Sequence, residues 1–202
     1  MALEPSVSVV IPMFNAARWI TESLATVVEQ TYPVKECIVV DDGSTDESVN
    51  IVREFLARSP APIRLVQTSN HGVSEARNTG LGESSGELVA FLDADDLWNP
   101  RKLECQVRLL SDMEAIACIC GYEIFDSATG RSVGVVRPKD ATRAVTRALS
   151  MEGHGLGAGS TALVDREGVE RIGGFASGFS TGEDVHFFWR ALSLGLVAAD
   201  RQ

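Results

Sequence analysis

Three aspartates lie within four residues in the segment Asp93-Ala94-Asp95-Asp96, directly after the apolar run 88–92. Carboxylates this close repel one another unless a cation or solvent relieves the repulsion. A hard divalent ion such as Mg2+ or Mn2+ prefers oxygen ligands and usually keeps waters and substrate phosphates in its shell. One or two of these carboxylates could therefore hold such an ion beside a diphosphate. A solvated acidic turn, with Asp96 capping the next segment, explains the triplet equally well.

Two further acidic segments stand where chemistry is possible. Asp42 precedes Gly43 and Ser44 and could accept hydrogen bonds from a nucleotide base or a ribose hydroxyl, although a simple helix-entry turn also accounts for it. Glu183 and Asp184 open a predicted helix, whose dipole favours a carboxylate there and should lower its pKa. Helix capping explains this pair by itself, and the functional alternative makes one of the two a general base.

Arg77 is the basic side chain that could join these carboxylates. It lies within the segment 72–80 on a predicted short helix, and a guanidinium there could contact a phosphate through two hydrogen bonds. The alternative is an exposed ion pair with Glu75 or Glu83, which would contribute little to stability.

Short apolar strands alternate with amphipathic helices through the first half of the chain. The runs 7–11, 37–40, 63–66 and 88–92 predict buried strands, the first of them ended by Pro12. Asn15 is a predicted helix cap, and Ser44 with Glu47 has the spacing of a capping box. The alternation predicts an α/β fold with a mostly parallel, Rossmann-like central sheet and helices on both faces. Ligands of such sheets bind outside the carboxyl ends of the strands, where the acidic segments should converge.

The second half is less regular. Strands are predicted over 115–120, 122–125 and 160–164, with a glycine-rich loop over 153–159. A helix should begin near Asp165 and stop at Gly173-Gly174, and a last helix should span 183–194. With no repeat or clear linker, one domain over residues 1–202 is expected.

Composition excludes several classes of protein. The 202-residue chain carries a net charge of -10, which argues against a nucleic-acid partner or an anionic membrane surface. Its four cysteines form no CxxC pair and sit in or beside apolar runs, as reduced thiols of a cytosolic protein do. The start lacks a signal peptide and no apolar run could span a bilayer. We therefore expect a cytoplasmic protein with at most peripheral contact at the inner face of the membrane.

Taken together, these segments resemble glycosyltransferase family 2, whose members adopt the GT-A fold. The resemblance covers nearly everything from Ser6 to about residue 196. Within the family, the chain is similar to the spore-coat polysaccharide branch. The resemblance rests on six motifs in the family's order, at 7–15, 38–46, 72–80, 91–96, 172–175 and 183–184.

The resemblance implies how a donor would bind. Pro12 and Phe14 would line the pocket of the nucleotide base, although many members have Tyr at the second position. Asp42 would hydrogen-bond the base, typically uracil, and Arg77 would lie near the diphosphate.

It also implies a metal and a catalytic base. Asp95 would be the principal ligand of Mn2+ or Mg2+, Asp93 would approach the ribose or the metal, and Ala94 completes this donor-binding segment. Asp184 would be the general base of an inverting transfer from a nucleotide-diphospho-sugar, such as a UDP-sugar, to an acceptor hydroxyl. The acceptor would be a saccharide or a lipid-linked molecule in polysaccharide or glycoconjugate synthesis.

The resemblance divides the domain into a nucleotide-binding half, residues 1–96, and an acceptor-binding half, residues 97–202. The chain stops soon after Asp184, where relatives usually continue, so we expect a C-terminally truncated core; a homodimer is compatible with the sequence. Two alternatives stand beside the transferase. A nucleotidyltransferase would need a glycine-rich basic segment where Pro12 to Ala16 stand. A non-catalytic nucleotide-sugar-binding core would need a partner or a further C-terminal segment to act.

Overall fold

The computed structural model describes residues 4–59, 61–138, 158–179, 181–195 and 197–199. The strands are β1 (Val7–Met13), β2 (Val34–Asp42), β3 (Ile63–Thr68), β4 (Leu88–Phe91), β5 (Ala117–Ile119), β6 (Tyr122–Phe125), β7 (Ser132–Val136), β8 (Ala162–Asp165) and β9 (Val197–Ala199). The helices are α1 (Ile20–Val28), α2 (Ser48–Arg58), α3 (Val73–Glu83), α4 (Lys102–Met113), α5 (Ala158–Thr161), α6 (Arg166–Ile172) and α7 (Glu183–Leu194).

A seven-stranded sheet in the order β3-β2-β1-β4-β8-β5-β9 forms the centre of the fold. β8 is antiparallel to both of its neighbours, while the pairs β1–β2, β1–β4, β2–β3 and β5–β9 are parallel. The predicted mostly parallel sheet with helices on its faces is confirmed. β6 and β7 form a separate antiparallel hairpin.

Alternation of side chains along the strands divides the core between the two faces of the sheet. Val9 and Val39 pack on the face covered by α1 and α4, whereas Val10 and Val40 pack on the face covered by α3 and α7. Gly80 allows α3 to approach β1 closely, because a Cβ atom there would collide with the Val10 side chain.

The prediction that Pro12 ends the first strand is wrong, since β1 continues to Met13. Beside β4, the pairing of β1 ends at Val10, whereas beside β2 it continues to the end of the strand. Backbone groups alternate in direction along a strand, so the nitrogen of Pro12 points to the same side as that of Val10, which is the side of β4. The β1–β4 pairing has ended before Pro12. A proline there removes no ladder hydrogen bond.

Both predicted helix caps in the first half are also wrong. α1 begins at Ile20, and Asn15 adopts a left-handed conformation with φ of 50°. The Asn15 Oδ1 atom accepts hydrogen bonds from the backbone N–H groups of Thr45 and Asp46. Ser44 Oγ accepts from the N–H of Asn15 instead of capping α2, which begins at Ser48.

In the second half of the chain, the predicted elements agree better with the structure near residues 165–194. The helix predicted over 183–194 is confirmed, as is a helix after Asp165, whose side chain accepts from the N–H of Gly168. Gly173 ends that helix in the left-handed conformation, with φ of 78°. The strand predicted over 160–164 begins two residues later, because Ser160 and Thr161 belong to α5. Most of the predicted glycine loop, residues 153–157, lies outside the described residues.

Candidate functional site

The candidate site lies at the carboxyl edge of the sheet, meaning the ends of β1, β2 and β4 at Met13, Asp42 and Phe91. Asp42 continues the side of β2 that carries Val40, and Asp93 continues the side of β4 that carries Phe91, so both lie toward the α3 face. α3 also carries Arg77 to this face. The sheet thus brings three of the predicted polar residues together.

Asp42 is nearly enclosed, at 4% exposure, and both of its carboxylate oxygens are engaged. Oδ1 accepts from the N–H of His71 and Oδ2 accepts from the N–H of Gly72, each at 2.8 Å. Gly43 is required beside it, because its φ of 76° is left-handed and a Cβ atom would lie 2.9 Å from the nitrogen of Asn70. Asp42 therefore fixes the loop before α3 against the end of β2.

Phe14 is half exposed and follows β1 at the same edge, while Pro12 is buried within the strand. The backbone around Phe14 is tied to the turn after β2 through Asn15 and through Ser48, whose Oγ accepts from the N–H of Ala16 at 2.8 Å. An exposed aromatic ring on a braced turn provides a flat surface on which a planar ring could stack.

The acidic segment forms a tight turn whose residues differ in environment. Ala94 has its methyl group in the core, and its carbonyl accepts from Ser23 Oγ at 2.8 Å. Ser160 of α5 holds the turn from the other side, accepting from the N–H of Asp93 and donating to Asp96 Oδ2. Asp95 is exposed. The turn therefore presents Asp95 to solvent while fixing its neighbours.

Asp96 differs from Asp95 in being bound to the hydroxyl of Ser160. Partial desolvation of its carboxyl raises the pKa of Asp96 above the usual range, an effect that the Ser160 hydrogen bond opposes and that the charges of Asp93 and Asp95 reinforce. Its bond to Ser160 explains the third aspartate as part of the scaffold.

The residues present fit an oxygen-preferring divalent cation with an incomplete protein shell. Nowhere in the described ranges do three His, Cys, Asp or Glu side chains converge as a metal-binding group. Mg2+ and Mn2+ sites for phosphorylated ligands need only one or two protein carboxylates, with waters and phosphate oxygens completing the shell. Asp95 and the 33%-exposed side chain of Asp93 could supply those carboxylates.

Arg77 does not pair with Glu75 or Glu83. Its Nη2 atom lies 2.7 Å from Asp93 Oδ1 and its Nη1 atom lies 2.8 Å from Glu183 Oε1. Burial alone would lower the pKa of Arg77, but the charges and hydrogen bonds of Asp93 and Glu183 raise it, so the guanidinium stays charged. The structure thus joins the acidic turn to the start of α7.

Asp184 lies in the same electrostatic environment, and the expectation that the helix start lowers its pKa is wrong. Removal from solvent is the largest effect and raises the pKa; the N–H of Val185, which donates to Oδ1 at 2.6 Å, lowers it. Glu183 and Asp93 raise it further, and Arg77 opposes them. The net shift is upward, which makes Asp184 a stronger base than an exposed aspartate.

Three residues that sequence reasoning did not single out complete the site. The Phe175 ring lies beneath the Arg77 guanidinium, 5.1 Å from centroid to Cζ, and stacks on Phe187 at 4.4 Å. Gly159 lies against Arg77 and Asp93, since a Cβ atom there would touch both side chains. Asn78 holds Phe175 in place. The Gly173-Gly174-Phe175 motif marks Phe175 in the sequence. Its contact with Arg77 could not be predicted, because the two residues are far apart along the chain.

A mostly parallel α/β sheet with carboxylates gathered at its carboxyl edge defines the class of open-sheet proteins that bind ligands at that edge. The sequence profile of Glycosyl transferase family 2 matches residues 8–173. The chain therefore belongs to glycosyltransferase family 2.

Similar proteins agree with this assignment. The chain is 35% identical over 120 residues to an uncharacterized glycosyltransferase of Nostoc sp., covering 59% of this chain and 37% of the relative. Its fold matches the mannosyltransferase PcManGT of Pyrobaculum calidifontis, solved with GDP-Man and Mn2+, at 28% identity and a TM-score of 0.73, covering 99% of this chain and 58% of the other. It also matches S. aureus TarS 1-349 with UDP-GlcNAc at 22% identity and a TM-score of 0.77, covering 98% and 56%. The chain thus spans little more than half of either solved chain, and the match to TarS supports the GT-A fold alone.

In the part of the chain that the structure describes, no helix combines the length and apolar composition needed to cross a bilayer. All four cysteines belong to that part and carry thiols rather than disulfides, as expected; Cys37 and Cys118 are buried.

Proposed function

We propose that this chain is the transferase core that moves a sugar from a nucleotide-diphospho-sugar to an acceptor hydroxyl, with inversion at the anomeric carbon. The observation that carries the proposal is the convergence of Asp93, Arg77, Glu183 and Asp184 at the carboxyl edge of the sheet. These residues come from the two halves that the family resemblance assigns to the donor and the acceptor. The boundary near residue 96 between those halves is part of the proposal.

The donor would lie along the carboxyl edge. Phe14 would stack on the base and Pro12 would back the pocket, while Asp42 would orient the loop at His71 and accept from the base with its remaining lone pairs. Asp95, with Asp93 and the intervening Ala94 turn, would hold Mn2+ or Mg2+ next to the diphosphate. When bound, such an ion neutralises charge that develops on the departing nucleoside diphosphate.

Asp184 would act on the acceptor. Its carboxylate would take the proton of the acceptor hydroxyl as that oxygen forms a bond to the anomeric carbon. The bond from the anomeric carbon to the diphosphate oxygen breaks on the opposite face, and the nucleoside diphosphate leaves with the electron pair. The upward shift of the Asp184 pKa supports this role, because a carboxylate with a raised pKa is a stronger base.

UDP is the nucleotide we expect, and the acceptor would be a saccharide or a lipid-linked molecule in polysaccharide or glycoconjugate synthesis. The location in the cytoplasm, at the inner face of the membrane, and the ability to form a homodimer remain predictions.

A thermal-shift screen of UDP- and GDP-sugars with Mn2+, followed by product analysis for each stabilising donor, tests the function. A ligand at 100 times its dissociation constant should stabilise the fold by about 2.7 kcal/mol. We expect at least one donor to be bound and consumed, with inverted product stereochemistry. Binding without turnover would favour a nucleotide-sugar-binding core that depends on a partner or further segment. No stabilisation by any nucleotide would overturn the proposal.

A further inference from the structure

Arg77 carries a buried positive charge between two carboxylates from distant parts of the chain. Its side chain is 3% exposed, and each terminal nitrogen is within 2.8 Å of a different carboxylate oxygen, on Asp93 and on Glu183. Among the described residues its Nε atom has no hydrogen-bond partner. A guanidinium that contacted a diphosphate would have to present its planar fork to the ligand. Here the fork is occupied by protein carboxylates.

We propose that Arg77 is a positioning residue that fixes Asp93 relative to the start of α7, and that it does not bind the diphosphate of the donor. This inference rests on the proposed function, since it assigns Arg77 and Glu183 tasks within that site. It differs from the sequence interpretation that the guanidinium could contact a phosphate, and it gives Arg77 another task than the place near the diphosphate that the family resemblance implied.

Glu183 serves Arg77 rather than the helix. The N-cap of α7 is Gly182, in the left-handed conformation with φ of 82°, and a glycine has no side chain with which to cap the helix. The Glu183 carboxylate, at 12% exposure, turns to Arg77 instead. Because Asp184 is the next residue, the ion pair sets where the proposed base stands with respect to Asp93.

The surroundings of Arg77 hold its guanidinium away from water. A Cβ atom on Gly159 would fall against Asp93 Oδ2 and within 2.6 Å of Arg77 Nη2, so only a hydrogen atom fits there. The Phe175 ring covers the guanidinium from another side. A buried charge interacts more strongly with its partners than an exposed one, so the buried guanidinium of Arg77 restrains both Asp93 and Glu183.

Calorimetry of UDP binding, with Mn2+ and with EDTA, separates positioning from direct phosphate contact. Arg77→Lys and Gly159→Ala should leave the UDP affinity in EDTA within about twofold of the parent, because no ligand contact is lost. Both should lower the affinity for Mn2+ alone, and the gain in UDP affinity from Mn2+, by the roughly 10- to 100-fold typical of losing a residue that orients a metal ligand. Arg64→Lys is the matched control for arginine, since its ion pair with Glu83 is exposed; Gly82→Ala is the control for glycine, since its Cβ meets nothing within 4 Å.

The outcomes are distinguishable. A parent protein that binds neither UDP nor GDP with Mn2+ would overturn the proposed function. A parent that binds, together with an Arg77→Lys variant that loses UDP affinity tenfold or more in EDTA while keeping uridine affinity, would overturn only the positioning role. Should Arg77→Lys fail to fold, Glu183→Gln provides the same comparison, because its carboxylate is removed from Arg77 and not from any ligand. Unchanged Mn2+ affinity in Glu183→Gln and Gly159→Ala would also contradict the inference.

Discussion

The side-chain amide of Asn78 binds both polar groups of the Phe175 backbone. Asn78 Nδ2 donates to the Phe175 carbonyl and Asn78 Oδ1 accepts from the Phe175 N–H, each at 2.8 Å. The two residues are far apart in sequence, and the pair fixes the ring that lies under Arg77. Gly174 makes the approach possible, because its φ of 70° is left-handed and a Cβ atom would collide with Asn78 Oδ1.

Asn78→Ala should therefore destabilise the fold. Losing two hydrogen bonds and leaving backbone groups unsatisfied should lower the free energy of unfolding by about 2 kcal/mol, measured by urea denaturation. Asn50→Ala is the control, because Asn50 is exposed and its hydrogen bond goes to the exposed Glu47, so its loss should change stability by less than about 0.5 kcal/mol. Equal effects of the two substitutions would show that the hydrogen bonds between Asn78 and Phe175 contribute nothing to stability.

Asp95 and Asp96 should differ in their importance for nucleotide binding. Asp95→Asn removes an exposed carboxylate from the proposed cation site and should reduce UDP affinity in Mn2+ to nearly the value in EDTA. Asp96→Asn should do much less, since Asp96 binds Ser160. Isothermal titration with UDP measures both. UDP affinity that is the same with and without metal in the parent would remove the basis of the cation site.

Asp42→Ala tests recognition of the base. The substitution frees the N–H groups of His71 and Gly72, so the loop before α3 should loosen and binding of uridine should weaken together with binding of UDP. Losing two charge-assisted hydrogen bonds should lower the free energy of unfolding by about 3 kcal/mol. If UDP binding falls and uridine binding does not, Asp42 serves the phosphates instead of the base.

Asp184→Asn should keep donor binding near normal and reduce transfer by roughly 100- to 10,000-fold, as expected for loss of a general base. The raised pKa of Asp184 should place the acid limb of the kcat profile above the usual range of an aspartate. Glu183→Gln should move that limb to lower pH, because Glu183 raises the pKa of its neighbour. A limb that stays in place would mean that another group titrates there.

The same pKa shift has a consequence for stability. The folded chain holds the Asp184 proton to higher pH than the unfolded chain, so its contribution to stability is present at low pH and is lost as pH rises through the folded pKa. Asp184→Asn should therefore gain stability relative to the parent at neutral pH and lose that advantage in acid. If Asp184→Asn unfolds and Glu183→Gln stops turnover, the roles of the two carboxylates are reversed.

Lys102 should make stability depend on pH in the alkaline range. Burial lowers its pKa to about 8, against an opposing effect of Cys120 and Cys118, and its ammonium contacts the Trp98 ring at 4.1 Å and Gln106 Oε1 at 2.6 Å. Above pH 8 the unfolded chain binds more protons than the folded one, so stability should rise with pH. Between pH 7 and 10 the parent should gain about 2 kcal/mol over Lys102→Met in chemical denaturation. Lys35→Met, at an exposed lysine, should show no such gain.

The sequence by itself determined the α/β alternation, the placement of Asp42 and Asp93 at strand ends, and the last helix, Glu183–Leu194. These features are local, since period-2 and period-3.6 patterns and glycine or proline signals act over a few residues. The family followed from the same segments, because their order along the chain is specific even where each motif is weak.

Only the tertiary structure decided which polar groups meet. Asn15 and Ser44 are ordinary cap residues by type, yet each bonds to the other's turn because β1 and β2 end side by side. Arg77 has acidic residues nearby in sequence, but its partner Glu183 is 106 positions away. Spacing along the chain favours ion pairs between residues that are close in sequence. A buried arginine instead pairs with carboxylates that the fold brings into the same site, shielded from water. That choice depends on how α3 packs on the sheet and on where the start of α7 lies, which no local pattern encodes.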